Sequence, residues 1–75
     1  MAKTLASCKP GEQGIILQID GSTHLARRLA EMGMTAGAKV QVVRYAPLGD
    51  PMEIRVRGYS LALRKKDAKK IALRE

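Results

Sequence analysis

Aromatic side chains are scarce in this sequence of 75 residues, which contains no tryptophan, no phenylalanine and only two tyrosines, Tyr45 and Tyr59. Small β-barrels that bind single-stranded nucleic acids do so largely by stacking bases on aromatic rings. Two tyrosines provide a poor stacking platform, so this mode of nucleic-acid binding is disfavoured.

Cysteine and histidine each occur once, as Cys8 and His24. One cysteine excludes an intrachain disulfide, and the two residues together fall short of the four ligands of a structural zinc site. A serine or cysteine nucleophile would need His24 as its base, and no diagnostic motif surrounds that histidine. The sequence therefore predicts no cofactor, no metal site and no catalytic residue, and it favours a reducing cytosol.

Weaker interpretations of the same residues stay open. A weak or intermolecular metal site would use His24, Cys8 or Glu31, whereas the simpler expectation is a solvated histidine at a helix start. Cys8 is expected to be an ordinary free thiol near a mobile N-terminus.

Long apolar segments and phosphate-binding loops are also missing from the sequence. No apolar run approaches the roughly 18 residues of a membrane span, and the first residues lack the apolar stretch of a secretory signal. No G-x-x-x-x-G-K-[ST] segment is present to cradle a nucleotide phosphate. We therefore expect a cytoplasmic protein that does not insert into a membrane.

Acidic residues are half as numerous as basic ones, with 7 Asp and Glu against 14 Lys and Arg, and the net charge is +7. Such an excess attracts nucleic acids, acidic protein surfaces and anionic lipids. The arginines expected on the outer face of the fold are Arg44, Arg55, Arg57, Arg64 and Arg74. Two interpretations of this basic face are equally favoured, a patch for an acidic protein partner and a merely solvated face. Nucleic-acid binding is less favoured than either.

Alternation of apolar and polar residues predicts several short strands separated by Gly and Pro turns. The predicted strands lie within residues 15–19, 40–43, 52–56, 59–63 and 71–73. The clearest case places Met52, Ile54 and Val56 on one face. The strand that begins at residue 15 is also expected to have one buried face, with Ile15, Leu17 and Ile19 alternating with Ile16, Gln18 and Asp20.

One segment changes to helical spacing, because Leu25, Leu29 and Met32 recur at i, i+4 and i+7. This spacing predicts a short helix over residues 22–32, ended by a left-handed Gly33, and residues 65–70 predict a single helical turn. We expect one domain over residues 1–75, mostly β, forming a small partly open barrel of about five strands. The short helix is inserted after the first of these strands.

The segment between the second and third predicted strands is a Pro- and Gly-rich loop over residues 47–51. Leu48 and Met52 are the apolar residues hardest to bury there, and an exposed apolar loop tip is a reasonable docking feature. The alternative is that the loop folds back over an open end of the barrel.

Two sequence blocks resemble a known family. Residues 28–37, R-L-A-E-M-G-M-T-A-G, are similar to the R-L-x-E-M-G-[LM]-x-x-G segment of FeoA proteins. Residues 46–51, A-P-L-G-D-P, and the pattern I-x-V-x-G-Y-x-L-A-L-R over residues 54–64 are similar to the second block of that family. The resemblance implies an SH3-like barrel.

The resemblance also implies a function, that of a non-enzymatic accessory protein of bacterial ferrous iron uptake. The implied partner is the cytosolic G-protein (GTPase) region of the membrane permease FeoB. Binding would recruit this protein from the cytoplasm to the inner face of the membrane, where it would modulate the activity or assembly of FeoB.

Charge, loop chemistry and the resemblance together predict a partner-binding surface made of Leu48, Met52, Arg55, Arg57 and Tyr59. Tyr45 and Tyr59 would supply rigid contact area if they are exposed, and Arg55 and Arg57 would face an acidic partner. A nucleic-acid-binding barrel that uses the basic face stays open as the alternative function. A metal chaperone and a weak homo-oligomer stay open as well.

Overall fold

The computed structural model describes residues 3–21 and 23–74, and within these ranges the chain is mostly β, as predicted. The strands are β1 (Lys3–Thr4), β2 (Gln13–Ile19), β3 (Lys39–Tyr45), β4 (Met52–Val56), β5 (Tyr59–Leu63) and β6 (Ile71–Leu73). The helices are α1 (Thr23–Glu31) and α2 (Lys65–Ala68), with a 3-10 turn at Leu5–Ser7. The two-residue strand β1 was not predicted, and Ser22, at the predicted helix start, lies outside the described residues. None of the described helices has the length and apolar character needed to cross a membrane.

All strand pairs are antiparallel, and the strand order is β1-β6-β2-β3-β4-β5. Strand β2 changes partner along its length, because residues 13–15 pair with β3 whereas residues 16–19 pair with β6. This change bends the sheet around the core, and within the described residues β1 and β5 are its two edge strands. The predicted partly open barrel is confirmed.

The core combines the inner face of the sheet with one side of α1. In β4, Met52, Ile54 and Val56 are all buried, as their alternation predicts. Leu25 and Leu29 of α1 belong to the same buried cluster, so the helical stripe is also confirmed. The helix therefore covers one open side of the barrel with the apolar face that its spacing predicts.

The alternation predicted for β2 is only partly correct. Ile16 is buried, whereas the next residue, Leu17, is 49% exposed. A register shift in the pairing with β6 falls between Ile16 and Gln18, so Leu17 is an extra residue in the ladder. Such a bulge interrupts the two-residue period of the strand, and the position of a bulge depends on a partner strand far away in sequence.

Helix α1 ends at a left-handed glycine, as predicted. Gly33 has φ +87°. Its N–H donates to the Ala30 carbonyl at 3.0 Å, and the N–H of Met34 donates to the Leu29 carbonyl at 2.9 Å. These are the two hydrogen bonds of a Schellman motif, and the fully buried Met34 supplies the hydrophobic contact that accompanies it.

The segment from Lys3 to Cys8 packs on the core, and Cys8 is a free thiol as expected, but a buried one. Residues 1 and 2 of the expected mobile N-terminus lie outside the described residues. Leu5 and Cys8 are both buried, and β1 pairs with β6. The Tyr45 hydroxyl donates a hydrogen bond to the Cys8 carbonyl, which ties the segment to the end of β3. Burial raises the pKa of the Cys8 thiol, so the protonated form is favoured in the folded protein.

We therefore expect Cys8 to react with a thiol reagent at neutral pH about 100-fold more slowly in the folded than in the urea-unfolded protein. The thiol reacts only through opened states, and each ~1.4 kcal/mol of opening free energy slows the reaction tenfold. The raised pKa has a second consequence: stability is retained below the ordinary thiol pKa of about 8.5 and declines as the pH rises above it. Cys8→Ala should lack this decline, and equal reaction rates in the two states would contradict the burial.

Candidate protein-docking surface

Four of the five predicted contact residues are exposed. Leu48, at the tip of the β3–β4 loop, is 97% exposed, and Tyr59, the first residue of β5, is 68% exposed. Arg55 and Arg57 are exposed on β4 and on the turn that follows it. These four residues are therefore accessible to a partner, whereas the fifth is not.

Met52 is fully buried, so its predicted place on the exposed loop is wrong. It is the first residue of β4, where it pairs with Tyr45 of β3 on one side and with Leu63 of β5 on the other. Its side chain points inward with those of Ile54 and Val56, because residues two apart in a strand share a face. Of the two apolar residues predicted to be exposed in this loop, Leu48 is exposed and Met52 is not.

The side chain of Arg57 is held in place by its turn. Arg57 and Gly58 form the two-residue loop between β4 and β5, and both have positive φ, 51° and 83°. Positive φ at both positions is the geometry of a type I′ turn. From this turn the Arg57 Nε donates a 3.1 Å hydrogen bond to the Gly33 carbonyl at the end of α1, where the helix dipole favours a cation.

Arg55 and Arg57 have no carboxylate partner in the part of the chain that the structure describes. The ion pairs found there are Lys3–Glu12, at 3.3 Å, and Arg44–Glu53, at 2.8 Å. Arg55 and Arg57 instead line a groove of about 500 Å³ together with Lys39. Three cations are thus available to an acidic partner, and Arg44 is engaged within the protein.

The two tyrosines have different roles. Tyr45 is half-buried, and the Lys65 Nζ lies 4.9 Å from the centroid of its ring. Because its hydroxyl is also bonded to the Cys8 carbonyl, Tyr45 is a structural residue rather than free contact area. Tyr59 alone offers an exposed aromatic ring, as the prediction of a contact residue requires.

Two grooves meet along β5. The helix-side groove, of about 650 Å³, separates β5 from the end of α1, and Met32, Tyr59 and Leu61 line it. The loop-side groove, of about 520 Å³, separates β5 from the β3–β4 loop, and Pro47 and Ala62 are among its lining residues. Ser60 and Leu61 line both grooves. We call the two grooves and the strand between them the β5 edge surface.

The predicted contact residues lie at the two ends of this surface rather than in one cluster. Leu48 precedes β4, whereas Arg57 and Tyr59 lie at the turn that follows it. A strand rises about 3.3 Å per residue, so the five residues of β4 separate the two ends by roughly 15 Å. A partner that contacts both ends must therefore extend along β5.

The metal-site alternative gains no support from the described residues. No three His, Cys, Asp or Glu side chains gather there in a way that could hold a metal ion. Cys8 is buried in the core, whereas His24 and Glu31 are exposed at the two ends of α1. The three side chains named for a weak site thus do not share one location.

Comparison with known proteins identifies related sequences. A family model described as the FeoA domain matches residues 3–75. A fusion protein of Fe(2+) transport protein A and the Fe(2+) transporter FeoB from Porphyromonas gingivalis is 37% identical over 67 residues. This match covers 89% of the chain but 8% of the fusion protein, so the chain spans a small part of that relative.

Solved structures resemble the fold over nearly its whole length. The crystal structure of an iron uptake regulatory protein (FeoA) has 35% identity and a TM-score of 0.87, covering 99% of this chain and 97% of that one. A zinc-complexed FeoA of Stenotrophomonas maltophilia, described as a prokaryotic SH3 domain protein, has 27% identity and a TM-score of 0.84. That match covers 97% of this chain and 91% of the other, and it confirms the predicted SH3-like fold.

Proposed function

Because the chain belongs to the FeoA domain family, we propose that it is a non-enzymatic accessory protein of ferrous iron transport that binds the cytosolic G-protein region of FeoB. The observation that carries this proposal is the relative in which a FeoA-like segment and FeoB form one polypeptide. Fusion keeps two modules at a high effective concentration. Where the modules are separate chains, surface contacts must supply the association, which would bring this protein to the cytoplasmic side of the membrane.

The β5 edge surface has the chemistry for such a contact. Tyr59 and Leu48 offer exposed apolar area at its two ends, and aromatic residues are frequent anchors of protein interfaces. Arg57, in the helix-side groove, and Arg55, in the adjoining groove with Lys39, add positive charge that no carboxylate of the described residues neutralises. Charges of this kind mainly steer the encounter with an acidic partner and set its dependence on salt.

We expect Arg55→Glu to slow association with the cytosolic domain of FeoB about tenfold at low salt and to flatten the salt dependence of the association rate. Arg74→Glu is the matched control. It makes the same change of charge at an exposed residue just after β6, a strand that pairs with β1 and β2 and not with β5. Association rates would be measured by surface-based kinetics at two or more salt concentrations, without nucleotide, with GDP and with a GTP analogue.

Equal slowing by Arg55→Glu and Arg74→Glu would show that net charge, not the position of Arg55 beside β5, governs association. No binding of the unmodified protein to the FeoB domain in any nucleotide state would overturn the proposed function. Tight, salt-sensitive binding to oligonucleotides in the same assay would instead favour the nucleic-acid alternative.

A further inference from the structure

The β4–β5 hairpin determines which backbone groups of β5 are already paired. In a hairpin with a two-residue loop, the residues that flank the loop, here Val56 and Tyr59, form a hydrogen-bonded pair. Paired residues then alternate between bonded and non-bonded along the ladder. Leu61 and Leu63 are therefore bonded to β4, whereas the N–H and C=O groups of Ser60 and Ala62 point to the open side of β5.

These outward groups have no backbone partner among the described residues. Proteins usually protect an exposed strand edge with a charged residue, a proline or a bulge. The sequence of β5, Y-S-L-A-L, contains no charge and no proline, and its pairing with β4 runs without a register shift. At the other edge of the sheet, β1 has two residues, so β5 is the longer open edge.

The grooves on the two sides of this edge fit the alternating side chains of an added strand. Residues of such a strand project in turn toward the two faces of the sheet. On the inner face they would meet Met32, Tyr59 and Leu61 in the helix-side groove. On the outer face the small Ser60 stands opposite Arg55 in the register, so the arginine can reach across it to a carboxylate. Ala62 stands opposite Glu53, whose carboxylate is already paired with Arg44 at 2.8 Å. Among the described residues, Arg55 is therefore the unpaired charge on this side of β5.

We propose that the free edge of β5 binds an extended segment of a partner protein as an added β-strand, with apolar residues alternating with acidic ones. Main-chain hydrogen bonds would supply affinity, and the two grooves would select side chains, as in other cases of strand addition. As the mode by which FeoB is bound, strand addition rests on the proposed function. The experiment below distinguishes a failure of strand addition from a failure of FeoB binding.

Charge selects an acidic partner rather than a second copy of this chain. The net charge of +7 repels another copy. An antiparallel self-pair centred on Leu61 would also place Arg57 near Lys65 and Gly58 near Arg64 of the other copy, so that cations meet at both ends of the pair. An acidic segment meets the same cations favourably.

The test uses amide hydrogen exchange of the full chain, followed by NMR. The probe is a blocked heptapeptide of alternating valine and glutamate, and its counterpart has lysine in place of glutamate. At about 90% occupancy we expect exchange of the Ser60 and Ala62 amides to slow about tenfold with the glutamate peptide, because exchange proceeds through the free fraction. Tyr59, Leu61 and Leu63, which are already bonded to β4, should change little.

Two matched sets of variants test the backbone bonds directly. The N–H groups of the valines point to one edge of the added strand and those of the glutamates to the other. One peptide is N-methylated at all valines and a second at all glutamates, and only the peptide whose methyl groups face β5 should lose binding. Ala62→Pro removes an outward N–H of the protein, and proline is tolerated at strand edges, whereas Ala62→Ser keeps that N–H. Arg55→Glu should shift the preference toward the lysine peptide.

The same exchange measurement with the FeoB cytosolic domain completes the design. Slowed exchange of the Ser60 and Ala62 amides with the glutamate peptide, without slowing at the residues between them, supports strand addition. If the FeoB domain does not bind in the same measurement, the proposed function fails but strand addition stands. Binding of FeoB that leaves both amides unchanged, with no effect of the peptide, overturns strand addition and leaves the proposed function standing. Concentration-dependent protection without peptide would indicate a second copy as the occupant and would also overturn it.

Discussion

Replacing Ile54 with alanine is expected to lower the free energy of unfolding by about 3–4 kcal/mol. The side chain is fully buried at the middle of β4, where it pairs with Val42 of β3 and with Leu61 of β5. Removal of three buried carbon atoms leaves a cavity in the core beneath β4. A domain of this size has roughly 4–11 kcal/mol of stability in total, so the loss would be a large fraction of it.

Val43→Ala is the control for this prediction. Val43 is a β-branched residue of the adjacent strand, but it is 39% exposed, because it follows the buried Val42 and therefore points to the opposite face of the sheet. We expect a loss below about 1 kcal/mol there. Urea unfolding, followed by circular dichroism, would measure both variants. Similar losses for the two would mean that the inner and outer faces of the sheet are assigned incorrectly.

Gly33→Ala is expected to lower the free energy of unfolding by about 2 kcal/mol, and Gly37→Ala by about 1 kcal/mol. Both glycines have positive φ, +87° and +92°, so both variants carry backbone strain. A Cβ at Gly37 would meet nothing within 4 Å, whereas a Cβ at Gly33 would lie 2.8 Å from the Arg57 Cδ. The difference between the two losses therefore measures the contact of Arg57 with the end of α1.

A double-mutant cycle checks this assignment. In an Arg57→Ala background the methyl group at residue 33 has no side chain to displace, so the losses of the two glycine variants should become similar. A difference that persists in this background would show that the extra cost at Gly33 arises elsewhere. Urea midpoints of the five variants and the parent chain are sufficient for the cycle.

The elements with a regular period could be predicted from the sequence alone. The inward side of β4 and the apolar side of α1 follow from alternation and from helical spacing, which act within a few residues. The burial of Leu5 and Cys8 could not be predicted, because these residues follow no period and are covered by distant parts of the chain. The bulge at Leu17 likewise depends on the pairing with β6.

The candidate surface could be predicted in its chemistry but not in its arrangement. Charge and apolar character identify Arg55, Arg57, Leu48 and Tyr59 as accessible groups, and only Met52 is misplaced. Ser60 and Ala62 carry no side-chain signal, since their contribution is backbone hydrogen bonding at an edge. The two-residue loop at positions 57–58 was the available clue, because it determines which residues of the hairpin face outward.

The pairing of β1 with β6 has a consequence for how the domain can be joined to other proteins. Lys3 lies opposite Leu73, so the first and last described strands run side by side at one edge of the sheet. A polypeptide attached at either of these positions would leave from the same side of the domain, and a short linker between them would allow circular permutation. Strand β5 is at the other end of the strand order. Neither Lys3 nor Leu73 pairs with β5, so a covalent link at either position leaves the outward backbone groups of Ser60 and Ala62 unoccupied, and tethering and a strand-edge contact do not compete for the same hydrogen bonds.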